Sequence, residues 1–83
     1  MDQYYILVFN NTHEAMQGES VCKNEKIKST MMPTPSYITK SCGISLKINN
    51  TEFESVIKLI KDGKFNVKAI FKKEDKAYRE IEF

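Results

Sequence analysis

Three features predict an α+β domain with two helices on one face of an antiparallel sheet. They are a short run apolar on both faces, two segments of strict apolar alternation, and two helix-opening signals. A chain of 83 residues can build one hydrophobic core and not two.

The elements follow in order. Gln3–Asn10 holds Tyr4, Tyr5, Ile6, Leu7, Val8 and Phe9 without interruption. β-branched and aromatic residues that are apolar on both faces suit a central strand. Asn11 then offers a capping oxygen and Glu14 stands at the third helical position, so a helix is expected over Thr12–Asn24. Its inward stripe, Ala15, Gly18 and Cys22, is small and lets the helix lie close to a sheet; Glu19 intrudes on it, and Met16 and Val21 flank it. Ile27–Met32 reads as a half-polar strand. It stops at Pro33-Thr34-Pro35, because proline cannot donate to a ladder. A ten-residue connection, Pro33 to Cys42, precedes Gly43–Asn49, where Ile44, Leu46 and Ile48 alternate with Ser45 and Lys47. Thr51 and Glu54 form a second capping-box pattern. Phe53, Val56, Ile57 and Ile60 recur at helical spacing, and Gly63 follows as a left-handed C-cap. Asn66–Lys73 alternates again, with Val67, Ala69 and Phe71 expected inward and Lys68 and Lys72 outward. Ile81 and Phe83, two apart in a charged tail, suggest an extra edge strand.

This order, βαββαβ, is that of a ferredoxin-like split βαβ with a four-stranded antiparallel sheet. The expected domain is 1–73, and 74–83 is a charged C-terminal extension, with an independent C-terminal arm as the alternative.

Composition excludes more than it assigns. With 13 Lys+Arg against 11 Asp+Glu the formal charge is +2, too small to argue for a nucleic-acid or acidic-membrane partner. The longest apolar run, Tyr4–Phe9, is far short of the roughly 20 residues that span a bilayer. The N-terminus lacks an export pattern, so a cytoplasmic location is expected. Two cysteines and one histidine make neither a disulfide framework nor a metal site, and three glycines leave no phosphate cradle. No cofactor is expected. For RNA stacking, the third strand would offer only Ser45, Lys47 and Asn49 on an open sheet face.

The topology gathers the remaining chemistry. Strand one runs up, helix one down and strand two up. The opening of helix one (Asn11, Thr12, His13) and the loop carrying Pro33, Pro35, Ser41, Cys42 and Gly43 therefore share one end of the sheet. A loop thiol near a helix N-terminus is biased toward thiolate. Lys40 could add to this, and His13 could donate a hydrogen bond or exchange a proton. Gly43 lets the backbone approach a partner closely. The chemistry suggested is thiolate attack on sulfur, selenium or a disulfide. The plainer reading stands beside it: Cys42 a passive small residue, His13 solvated, the prolines ending a strand. Cys22 is expected in the core.

Tyr4-Tyr5-Ile6-Leu7-Val8-Phe9, Thr12-His13-Glu14-Ala15-Met16, Met32-Pro33-Thr34-Pro35 and Ser41-Cys42-Gly43-Ile44-Ser45-Leu46 together resemble the putative Se/S carrier protein-like family of small bacterial proteins, over about residues 3–72. The resemblance implies a carrier rather than a turnover enzyme. Cys42 would hold sulfur or selenium as a persulfide or selenosulfide and pass it from a donor protein to an acceptor protein. Thr12, His13, Pro33, Pro35, Ser41 and Gly43 match the flanking motif positions. The tail from Glu74 lies beyond the family pattern. The Cys-Pro-x-Pro element of related sulfur-relay carriers is absent.

The alternative is a non-enzymatic protein-interaction or small-ligand-binding module, since the fold itself selects no function. Strand one would turn either Tyr4, Ile6 and Val8 or Tyr5, Leu7 and Phe9 to the uncovered sheet face. Such a face would be a contact surface, through which a homo-oligomer could form or over which the tail could lie.

Overall fold

The computed structural model describes residues 3–35, 43–74 and 76–82. The chain runs β1 (Tyr4–Val8), α1 (Thr12–Asn24), β2 (Ser29–Pro33), β3 (Ile44–Asn49), a single 3-10 turn (Asn50–Glu52), α2 (Phe53–Lys61), β4 (Ala69–Glu74) and β5 (Ala77–Ile81). The strands form one sheet in the order β2-β3-β1-β4-β5, every neighbouring pair antiparallel. The first four strands thus have the expected split βαβ order, with the apolar run of β1 at the centre. The expected edge strand is real and is β5, paired to β4; Phe83 lies outside the described residues.

Local chemistry sets each helix. Asn11 is extended and its side chain accepts the Glu14 N–H at 2.8 Å, so α1 starts at Thr12 as the sequence predicts. Its small residues Ala15, Gly18 and Cys22 are buried. A Cβ on Gly18 would stand 2.9 Å from the ring of Phe9 and 3.2 Å from Phe65, so glycine is what lets α1 approach this closely. The second capping box does not form. Neither the 3-10 turn nor α2 has a side-chain cap bond; a 3-10 turn leads into α2 instead, with the Phe53 N–H donating to the Asn50 carbonyl. At the other end Gly63 is left-handed (φ +79), with its N–H on Ile60 and that of Lys64 on Leu59.

Tyr5 and Leu7 of β1 and Phe9 just after it point to the helices and join Leu46, Ile48, Ile70, Val56, Leu59 and Phe65 in one core. Tyr5 stacks on Phe53 with ring centroids 3.9 Å apart. β4 departs from its expected alternation. Ile70 is the core residue, opposite Leu7, while Ala69 and Phe71 face away from the helices and Val67 still packs on the core. The switch falls at Lys68 and Ala69. There the Lys68 N–H reaches the Val8 carbonyl at 2.7 Å, one residue before the register pair Val8–Ala69. Lys72 consequently lies on the helix side, its ammonium 5.8 Å from the Tyr5 ring centroid.

The face away from the helices carries Tyr4, Ile6 and Val8, but not as an apolar patch open to solvent. Ile6 is 0% and Val8 1% exposed. Their cross-strand neighbours are Lys47 and Phe71 for Ile6 and Ser45 and Ala69 for Val8. Among the described residues the tail does not lie over this face, because β5 continues the sheet sideways; Tyr78 reaches back, its hydroxyl 3.4 Å from that of Tyr4.

Candidate functional site at the loop end of the sheet

The register fixes which residues share an end. Val8, Ser45 and Met32 lie in one row across β1, β3 and β2. The end of β1 leads into α1 at Thr12, the end of β2 is Pro33, and β3 begins at Ile44 opposite Pro33. The α2–β4 connection after Gly63 returns to the same end, tied there by the Lys68–Val8 bond.

At this end the backbone of α1 is held by a small polar set. Glu14 Oε1 accepts from both the backbone N–H of Asn10, at 3.2 Å, and its side-chain amide, at 3.0 Å. Together with the Asn11 cap this fixes the first turn, leaving Thr12 and His13 exposed on it. Across the sheet, the Thr34 N–H donates to the Gly43 carbonyl at 3.0 Å, and the Thr34 hydroxyl lies 2.7 Å from that of the buried Ser45. Those bonds pin both ends of the connection between β2 and β3. Gly43 is left-handed (φ +86) and exposed, a conformation that a side chain would strain. Pro33 closes β2 and Pro35 is half-buried beyond it. Ser41 and Cys42 lie outside the described residues. Of the residues singled out from sequence, the described structure therefore brings Thr12, His13, Pro33, Pro35 and Gly43 to one end of the sheet. It shows no hydrogen bond from His13 to the described part of the loop.

The interior offers the opposite environment. Cys22 is fully buried, and its thiol is pushed up to about 11, first by burial and then by the charge of Glu52. A thiol so placed is inert near neutrality. Among the described residues no group of three or more His, Cys, Asp or Glu side chains could hold a metal ion. No described helix is long and apolar enough to cross a membrane. A groove that sequence reasoning missed, of about 400 Å³, lies between the α1–β2 turn and α2. Ile27 and Leu59 line it among Glu25, Lys26, Glu52, Lys58 and Asp62. Its parts are far apart in sequence, which is why no local motif signals it, and its charges of both signs build no field that selects a ligand.

A family model described as putative Se/S carrier protein-like matches residues 4–72. The chain belongs to that family. The match spans β1 through most of β4, so the loop end of the sheet falls within it and β5 falls outside it. Comparison with curated proteins and with solved structures gives no match.

Proposed function

We propose that this member of the Se/S carrier-like family carries sulfur or selenium on Cys42. The observation that supports the reading most is the family match itself, which spans the β2–β3 connection and both of its pinned ends. The reading is further supported by elimination of Cys22, whose burial disfavours the thiolate that such chemistry requires.

In this reading the Cys42 thiolate attacks the terminal sulfur of a donor protein's persulfide. A bond forms between Cys42 Sγ and that sulfur, the donor's S–S bond breaks, and the donor cysteine leaves as a thiolate. An acceptor thiolate then attacks the same terminal atom and releases Cys42. The sulfane sulfur changes hands with no net oxidation, so no redox cofactor enters, and a selenium atom in the terminal position follows the same course. Thr12 and His13 at the opening of α1 and Ser41 beside the thiol would hold the anion through hydrogen bonds and the helix end. Pro33, Pro35 and Gly43 would set the loop's path. A reducing cytoplasm is the setting that keeps such a thiol free.

Thiol labelling against pH tests the premise. Cys42 is expected to react with a rate midpoint well below the ordinary thiol value of about 8.5. Reaction only at high pH or only after unfolding would remove the basis of the proposal. The second reading, a small-ligand-binding module, has the groove beside α2 as its observation. It would be favoured by a normal Cys42 together with metabolite-dependent shifts in the amide resonances of Glu25, Lys26 and Ser55.

A further inference from the structure

The two edges of the sheet are defended differently. β5, at one edge, carries Arg79 and Glu80 among its five residues, and Arg79 is tied to Glu74 at 2.9 Å. Charges on an edge strand oppose pairing with another chain. β2, at the other edge, reads Ser29-Thr30-Met31-Met32-Pro33 and has no charge.

The hydrogen bonds of β2 can be assigned. Thr34 donates to Gly43, and Thr34 and Gly43 continue the register in which Pro33 faces Ile44. Hydrogen-bonded and non-hydrogen-bonded pairs alternate along an antiparallel ladder. Met32 and Thr30 therefore bond inward to Ser45 and Lys47, while the N–H and C=O groups of Ser29 and Met31, and the carbonyl of Pro33, face away from β3. The one proline of the strand falls where its missing donor costs the fold nothing.

This edge is self-complementary. A second copy laid antiparallel about Met31 sets Met31 against Met31, with two mutual backbone bonds. It also sets each Ser29 against the other copy's Pro33, with one N–H to carbonyl bond on each side. Above the same edge lies α1, which packs on β2 and β3. Its Gly18 faces Phe9 and Phe65. Two residues back, at about 100° per residue, Met16 is on the flank turned away from them. At 58% exposure Met16 is the large hydrophobic left exposed among the described residues. Glu19 and Lys23, three and seven residues on, share that flank.

We infer that the protein forms a homodimer through the β2 edge, joining two sheets into one of ten strands, with α1 packed against its copy. This replaces the sheet-face contact expected from sequence, since Ile6 and Val8 are already covered within the chain. It does not depend on the proposed chemistry of Cys42.

The test is the solution mass of the full chain by sedimentation equilibrium, combined with amide exchange at Met31. The expected result is twice the 9.6 kDa chain mass at high micromolar concentration. The Met31 N–H should become at least ten-fold more protected as concentration rises through the association range. Ser29→Pro removes an outward donor at the first strand position, and Met16→Lys places a cation on the α1 flank; the double variant should keep the wild-type circular dichroism and sediment as a monomer. A wild-type monomer at millimolar concentration overturns the inference. So does a dimer whose Met31 amide stays unprotected, or one that the folded double variant retains.

Discussion

The interior beneath α1 and the described residues at the loop end of the sheet differ in how far they admit water. Beneath α1, small residues bring the helix down until the ring of Phe9 fills the space a Gly18 side chain would need, and Cys22 is sealed from water. At the loop end, Asn11, Glu14 and Thr34 spend their hydrogen bonds fixing backbone, leaving Thr12, His13 and Gly43 exposed. One region secures the fold by excluding chemistry; the other is held open at its margins. The contrast teaches that Cys22 sits where thiolate chemistry is disfavoured, while exposed described side chains gather at the loop end.

The largest expected effect concerns Cys22. Its thiol is held near 11 in the folded chain against an ordinary 9.0, so the folded state keeps a proton that the unfolded state loses. Folding stability from this group is therefore fully present below pH 9 and lost as pH rises toward 11. The two-unit shift corresponds to a loss of up to about 2–3 kcal/mol. Urea melts of wild type and Cys22→Ala from pH 8 to 11 should show wild type losing that much more; parallel curves would place the thiol in contact with water. Next, Gly18→Ala gains helix propensity of about 1 kcal/mol but crowds Phe9 and Phe65, for a net loss of about 1–2 kcal/mol in a urea melt. A gain in stability would mean the interior yields more than the close packing implies.

The smallest effect separates the two regions. Lys26 is left-handed (φ 61) at the C-terminus of α1, where the Lys26 N–H reaches Lys23 and that of Ile27 reaches Cys22, the same motif that Gly63 closes on α2. Lys26→Gly should stabilise the fold by about 1 kcal/mol. Labelling of Cys22, which needs the fold to open, should then slow about five-fold. Labelling of Cys42 should be unchanged. Equal slowing of both thiols would contradict their separation.

Much of this was legible in the sequence where the determinants are local. Asn11 and Glu14 set the start of α1, and Ala15, Gly18 and Cys22 marked its buried stripe, because capping and helical spacing act within a few residues. Of the inward set expected around β4, Val67 does pack on the core, but from Ala69 onward pairing with β1 turns Ile70 and Lys72 to the helices instead of Ala69 and Phe71, which alternation within the strand cannot decide. The Thr51 box looked sound in spacing, yet a 3-10 turn took its place. Burial of Ile6 and Val8, and the uncharged edge at β2, depend on neighbours brought in by the fold. Of the candidate site, the sequence placed Thr12, His13, Pro33, Pro35 and Gly43 at one end of the sheet through strand direction alone. Cys42 and Ser41 lie outside the described residues, so their part rests on the family pattern.

The most direct test of the carrier proposal is intact-protein mass spectrometry after incubation with a protein persulfide donor and removal of excess donor. The expected result is a mass gain of one sulfur that persists in Cys22→Ser, is absent in Cys42→Ser, and is discharged by an acceptor thiol. A wild-type chain that gains no sulfur, or a Cys42→Ser chain that gains it as readily, would contradict it.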